Sequence, residues 1–373
     1  MNFYNSYLNY KDFSFDNFFN SVTKQEIQKI IHKHKLTALD FLALLSPVAE
    51  SCLEEIAHKA HQITVQNFGK TIFLFTPMYL SNYCTNQCAY CGFNTKNKLH
   101  RHQLTFEQVE EEAKVIAARG LKHILILTGD ARKISSIEYL KGCINVLKKY
   151  FPSIGIEIYA LEEKEYAELI EAGVDSLTMF QETYNKELYD SVHIKGPKKD
   201  YHFRLDAPER ACKAGMRSVN IGALLGLDEW KREAFFTGLH ATYLQDTYPS
   251  VEISISLPRL RPHIGSFQPN SIVNDKNMIQ FMLALRLFIP RAGITISTRE
   301  NAHFRNNIIR LGVTKMSADA STVVGGNTIG EKDPGQFEIS DERNVPQMCE
   351  AISKLGFQPV FKDWEPIPGV FNE

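Results

Sequence analysis

Three cysteines stand close together in residues 84–94, CTNQCAYCGFN, spaced C-x3-C-x2-C and followed by a glycine. Thiolates ligate soft metals, and two chemistries are open to such a trio. A structural zinc ion wants four closed ligands; the nearest further candidates are His100 and His102, and no second C-x2-C occurs in the chain. A cluster of four irons and four sulfides suits Cys84, Cys88 and Cys91 better, because three irons are ligated and the fourth stays free to bind a small molecule. The other four cysteines, Cys52, Cys143, Cys212 and Cys349, are scattered and are expected to be buried small hydrophobes in a reducing compartment.

A reactive loop needs a rigid frame, and the chain carries one. From residue 71 short apolar or β-branched runs recur: TIFLFT (71–76), HILILT (123–128), GIEIYA (155–160), DSLTMF (175–180), RSVNIGA (217–223), VEISIS (251–256), GITIS (293–297) and VTKMS (313–317). Amphipathic stretches such as TFEQVEEEAKVIAARG separate them, with Gly120, Gly173, Gly215, Gly293 and Gly312 at the helix-to-strand joints. Eight strand-then-helix units predict an α/β fold, a (β/α)8 TIM-type barrel over 71–320, whose reactive groups belong on the loops after the strands. A doubly wound sheet would carry G-x-G-x-x-G after its first strand, where the cysteines stand instead. Residues 1–70 predict an N-terminal helical extension, with a capping box at Thr23–Glu26 and further helix starts at Thr37 and Ser46–Pro47; residues 321–373 predict a short C-terminal segment closing against the barrel.

Hydrophobic content of 44%, charged content of 23% and a formal charge of -1 fit a globular protein with no basic footprint for nucleic acid. The most apolar run, Leu36 to Ala49, is broken by Asp40 and Ser46–Pro47, so no membrane span is expected. The N-terminus matches neither a signal nor a transit peptide, which predicts a cytoplasmic address.

With the cysteines placed after the first barrel strand, the C-x3-C-x2-C loop resembles the signature of the radical S-adenosylmethionine (SAM) enzymes. The resemblance implies a [4Fe-4S] cluster whose open iron chelates the amino and carboxylate groups of SAM. It implies further that Tyr90 flanks the adenine and that Thr128, Gly129 and Asp130, after the second strand, meet the methionine amino group. Glu182, after the fourth strand, would lie near the ribose and amino group, and Arg204 is similar to the arginine that pairs with the methionine carboxylate in the biotin synthase group.

Further stretches, SLPRLRPH (256–263), STRE (297–300), KMSADAST (315–322), QFEISDERNV (336–345) and GFQPVFKDWEP (356–366), are similar to the 2-iminoacetate synthases, the tyrosine lyases of thiamine thiazole biosynthesis. That family implies Cα–Cβ cleavage of L-tyrosine to 2-iminoacetate and p-cresol, with 5′-deoxyadenosine and methionine as coproducts, delivery to the thiazole synthase subunit, and flavodoxin or ferredoxin as electron donor. Arg299 is expected to hold the substrate carboxylate and Ser317 the amino group. Arg259 and Arg261 alternate along LPRLRP, so an extended segment would send both to the site. A tryptophan lyase and a non-catalytic zinc scaffold are the alternatives. The tyrosine lyase that matures the iron-only hydrogenase is disfavoured, since only Cys349 occurs in the last 160 residues to hold a second cluster. Asp319 and Asn327 depart from the glycine and aromatic expected by resemblance.

Overall fold

The computed structural model describes residues 2–329, 335–362 and 364. Eight parallel strands close into a barrel: β1 Thr71–Ser81, β2 His123–Thr128, β3 Ser153–Glu157, β4 Ser176–Glu182, β5 Ser218–Ala223, β6 Glu252–Ser256, β7 Gly293–Ile296 and β8 Lys315–Ser317. They pair in chain order, and β1 closes the ring by pairing with both β8 and β2. The expected strands are all present, β2 with its expected ends and the others with altered ones. β1 runs five residues past its predicted end, through Pro77. The Phe73 N–H points toward β8, so residue 77 faces the same way, and β8 has ended at Ser317 before an N–H there would be needed. Gly293 does not close a helix but opens β7, whereas Gly120, Gly173, Gly215 and Gly312 take positive φ at their joints.

A ninth strand, β9 Gln358–Val360, is absent from the sequence reading because three residues containing Pro359 carry no period. It pairs in parallel with Thr71–Phe73 at the start of β1. The preceding segment is pinned by Asp341, which lies buried between Arg305 and Arg343. Residues 330–334, Asp363 and everything from Glu365 onward, including the end of the GFQPVFKDWEP match, lie outside the described residues.

Before the barrel come helices Phe3–Leu8, Phe15–Ser21, Lys24–Ile31, Ala38–Leu44 and Leu53–Phe68. The Thr23–Glu26 capping box forms, with Glu26 Oε2 accepting from the Thr23 N–H at 2.8 Å, and Thr37 and Asp40 make a second. Ser46–Pro47 starts a 3-10 turn, Val48–Cys52, rather than the helix itself. This layer is welded to the barrel helices Trp230–Thr247 and Asp275–Phe288 by aromatic packing: Phe3 stacks on His240 at 4.2 Å and Phe41 on Phe288 at 4.5 Å. Each such buried ring contributes about 1.5–3 kcal/mol relative to exposure. Among the described residues, no helix is long and apolar enough to cross a membrane.

Candidate active site

The cysteine loop leaves the carboxyl end of β1 and is fixed on all sides by backbone bonds. Thr85 N donates to Asp130 O (2.8 Å), Gln87 N to Lys195 O (2.8 Å) and Ala89 N to Val192 O (2.9 Å). Arg101 threads it from within, donating to the carbonyls of Asn82, Phe93 and Asn94. Two glycines allow the close approaches: a Cβ on Gly129 would lie 2.3 Å from Tyr83 O, and one on Gly92 would lie 2.5 Å from Gln336 O. So Gly129 is where β2 presses against the loop that starts at Cys84. Asp130 serves that loop too, its Oδ2 accepting from Asn86 Nδ2 at 2.8 Å, while its Oδ1 and Thr128 Oγ1 are buried without partners among the described residues.

All seven cysteines are free; Cys52, Cys143 and Cys212 are buried and Cys349 is half-buried. Burial raises the Cys88 thiol to about 12 and raises Cys91 as well, so both need a compensating positive centre to ionise. Among the described residues no three His, Cys, Asp or Glu side chains are grouped to hold one metal ion. Three thiols on one loop, set apart from one another, fit a polynuclear cluster better than a zinc tetrahedron. His100 and His102 take no part: their rings stack on each other at 6.1 Å, and Asn82 binds the backbone of both.

Beside the thiols lies a compact charged group. Glu182 ends β4 at φ 71°, a strained backbone for a non-glycine residue of the kind that persists where surrounding structure enforces it. Its Oε1 accepts from Lys198 Nζ at 2.6 Å and faces Arg204 Nη2 at 3.4 Å, and Arg204 Nε donates to Phe180 O at 2.7 Å. Burial alone would raise the Glu182 carboxyl, but Lys198 and Arg204 outweigh it and hold it low. Neither Glu182 nor Arg204 is a solvated surface charge; both are buried. Lys198, which the sequence did not single out, also sits 5.6 Å above the Tyr90 ring. The Tyr90 hydroxyl donates to His193 Nε2 at 2.7 Å, since His193 Nδ1 donates to Tyr189 O; burial holds this histidine neutral, with its pKa lowered to about 3.

Inside the barrel lies a cavity reaching from His123 and Lys315 up to Arg299 and Phe337. A smaller recess, lined by Tyr90, Cys91, Glu182, Lys198 and Arg261, shares four of its walls: Glu157, Phe180, Arg299 and Phe337. Arg299 lies flat on Phe337, 3.4 Å from the ring centroid, and its only described hydrogen bond to protein from the guanidinium is a long one, 3.5 Å, to Arg259 O. Ser317 also lines the cavity, its Oγ accepting from Thr298 N at 3.0 Å.

Arg259 is a correction to the sequence reading. Its guanidinium is filled by Glu300 and by Asp275 (2.8 Å), so it braces the loop after β6 instead of facing the cavity. Arg261 does reach the recess, with a buried Nε that has no partner among the described residues. The alternation argument failed because Glu300 and Asp275 arrive from elements that local spacing does not reveal. Asp319 and Asn327 act together: Arg119 bridges them at 3.3 and 2.7 Å, and Asn327 also bonds Glu112, which ties the last loop to helix Phe106–Ala118.

Residues 78–239 match the Radical SAM superfamily and residues 256–358 the Biotin and Thiamin Synthesis associated domain. The chain is 36% identical to the 2-iminoacetate synthase of Escherichia coli over 93% of its own length and 92% of that protein's, and 35% identical to that of Salmonella typhimurium over the same shares. The solved structure of the FeFe-hydrogenase maturase HydG from Carboxydothermus hydrogenoformans superposes with a TM-score of 0.87 at 32% identity, covering 94% of this chain and 83% of that one. Barrel, cysteine loop and matched length agree: the chain belongs to the 2-iminoacetate synthase family, radical SAM lyases that work with a [4Fe-4S] cluster and S-adenosylmethionine.

Proposed function

We propose that the chain cleaves the Cα–Cβ bond of L-tyrosine to give 2-iminoacetate and p-cresol, with 5′-deoxyadenosine and methionine as coproducts. The observation that carries this reading is the shared wall of Glu157, Phe180, Arg299 and Phe337, which joins a recess at the cysteine loop to a chamber inside the barrel. Cys84, Cys88 and Cys91 would hold the cluster, and Tyr90, Thr128, Gly129, Asp130, Glu182, Lys198, Arg204 and Arg261 would surround the nucleotide. When bound, cluster and SAM supply a primary carbon radical that takes a hydrogen atom from the substrate.

The chain's own residues orient and exclude. Arg299, half-buried and nearly unpartnered, offers a planar fork to the substrate carboxylate, and Ser317 Oγ can accept from the amino group. Deeper in the barrel Asn220 bonds Ser256 (2.7 Å), Thr178 (3.3 Å) and Ser254 (3.2 Å), a polar ring that suits a phenol hydroxyl better than an indole. The aromatic walls keep water from a species that attacks whatever it meets. Because a free imine hydrolyses in water, we infer direct transfer to the thiazole synthase subunit; flavodoxin or ferredoxin would deliver the electron.

Anaerobic incubation of reduced, cluster-loaded protein with SAM and each aromatic amino acid tests the reading. It predicts p-cresol from tyrosine and no indole fragment from tryptophan. The reverse would reassign the substrate, and colourless protein carrying zinc would remove the chemistry altogether.

A further inference from the structure

Glu157 is the last residue of β3, and it faces the shared wall of both cavities. No hydrogen bond or ion pair within the described residues engages its carboxylate. Arg299 lines the same wall, close enough that each group's charge acts on the other, yet the two are not paired. An acid and a base left open toward one chamber are the complement of a zwitterion: a guanidinium for a carboxylate, a carboxylate for an ammonium. The only other polar group expected at the amine, Ser317 Oγ, already accepts the Thr298 N–H and bears no charge.

Resting on the tyrosine-lyase reading, we propose that Glu157 receives the substrate ammonium opposite Arg299 and takes a proton from it. The step balances without a redox partner: an N–H bond of the ammonium breaks, an O–H bond forms on Glu157, and a neutral amine faces a neutral carboxyl. The product requires it, since a nitrogen that enters with three hydrogens ends as an imine with one, and only one of the two lost can leave as the abstracted hydrogen atom. The proton returns to solvent when the products leave.

The surroundings favour this base. Burial raises Glu157 to about 7, and among the neighbouring charges Arg299 is the largest opposing influence. A substrate carboxylate on Arg299 would cancel that influence and make Glu157 more basic as the ammonium arrives. The other groups acting on it are Glu182, which raises it, and Arg204 and Lys198, which lower it; Tyr79 also lines the chamber, its hydroxyl donating to Gln336 Oε1 at 2.8 Å.

The test compares L-tyrosine with 3-(4-hydroxyphenyl)propanoate, which lacks the amine, in binding titrations to the SAM-loaded, cluster-bound enzyme, alongside turnover. Wild type is expected to prefer tyrosine by at least about tenfold, the effect of one charge-assisted hydrogen bond. Glu157→Gln should lose that preference and drop kcat about 100-fold while still producing 5′-deoxyadenosine; Glu157→Asp should regain part of both. Unchanged preference and turnover in Glu157→Gln would overturn the assignment, as would a loss confined to SAM binding. If Glu157→Gln loads no cluster, the preference of Glu157→Asp alone decides, and an unchanged ratio there counts against the proposal. Failure of wild type to make p-cresol would instead strike the tyrosine-lyase reading, which the preference ratio reports separately.

Discussion

Lys198 Nζ lies 2.6 Å from Glu182 Oε1, with both side chains largely withdrawn from water. This pair joins the loop after helix Lys186–Val192 to the end of β4, with Lys198 over the Tyr90 ring on the cluster side of the recess. Removing the ammonium leaves Glu182 with Arg204 alone at 3.4 Å. Lys198→Met should therefore destabilise the fold by about 1–3 kcal/mol, somewhat below the value for an isolated buried pair, and weaken SAM binding. Denaturant unfolding and a nucleotide titration read the two effects.

Arg259 and Arg261 should separate cleanly. Arg259→Gln strands Glu300, which is buried, and should lower stability by about 2–4 kcal/mol with the KM for SAM little changed. Arg261→Gln should raise the KM for SAM and leave the melting temperature near wild type, because the Arg261 Nε has no partner among the described residues.

Gly129→Ala would push a Cβ to 2.3 Å from Tyr83 O, so the start of the cysteine loop must move. Iron content after reconstitution should fall while far-ultraviolet circular dichroism stays unchanged, because the clash lies at the loop and not in the barrel hydrogen bonds.

Glu233 is buried beneath Tyr184 and accepts from Thr183 Oγ1 at 2.6 Å; burial raises its pKa to about 8. The folded chain thus keeps a proton that the unfolded chain releases near 4.5, and this stabilising contribution is present below that value and lost as pH rises through about 8. The melting temperature of wild type should fall relative to that of Glu233→Gln between pH 5 and pH 8. A difference that stays constant across that range would contradict the assignment.

The barrel and the cysteine loop were legible because both are local: strand runs and a three-thiol spacing survive without tertiary information. Glu182 and Arg204 could be placed by the family resemblance together with strand order. Lys198 could not, since nothing in KGPKKD shows that its loop folds back onto β4. Glu157 left a weak signal, a single charge in the apolar run GIEIYA; the expected strand ran on to residue 160, and only the structure puts Glu157 at its carboxyl end, where reactive groups belong. Arg259 misled because its partners come from the loop after β7 and from the first turn of helix Asp275–Phe288. The Asp319–Arg119–Asn327 bridge shows why two residues that looked like departures are tolerated: they compensate each other through a third.

The central claim is that Arg299 holds an amino acid against the cysteine-loop recess. The ratio of p-cresol to 5′-deoxyadenosine, measured anaerobically with L-tyrosine in wild type and Arg299→Ala, tests it most directly. Wild type should give both products, and Arg299→Ala should give 5′-deoxyadenosine slowly with no p-cresol. Undiminished p-cresol from Arg299→Ala would contradict the account.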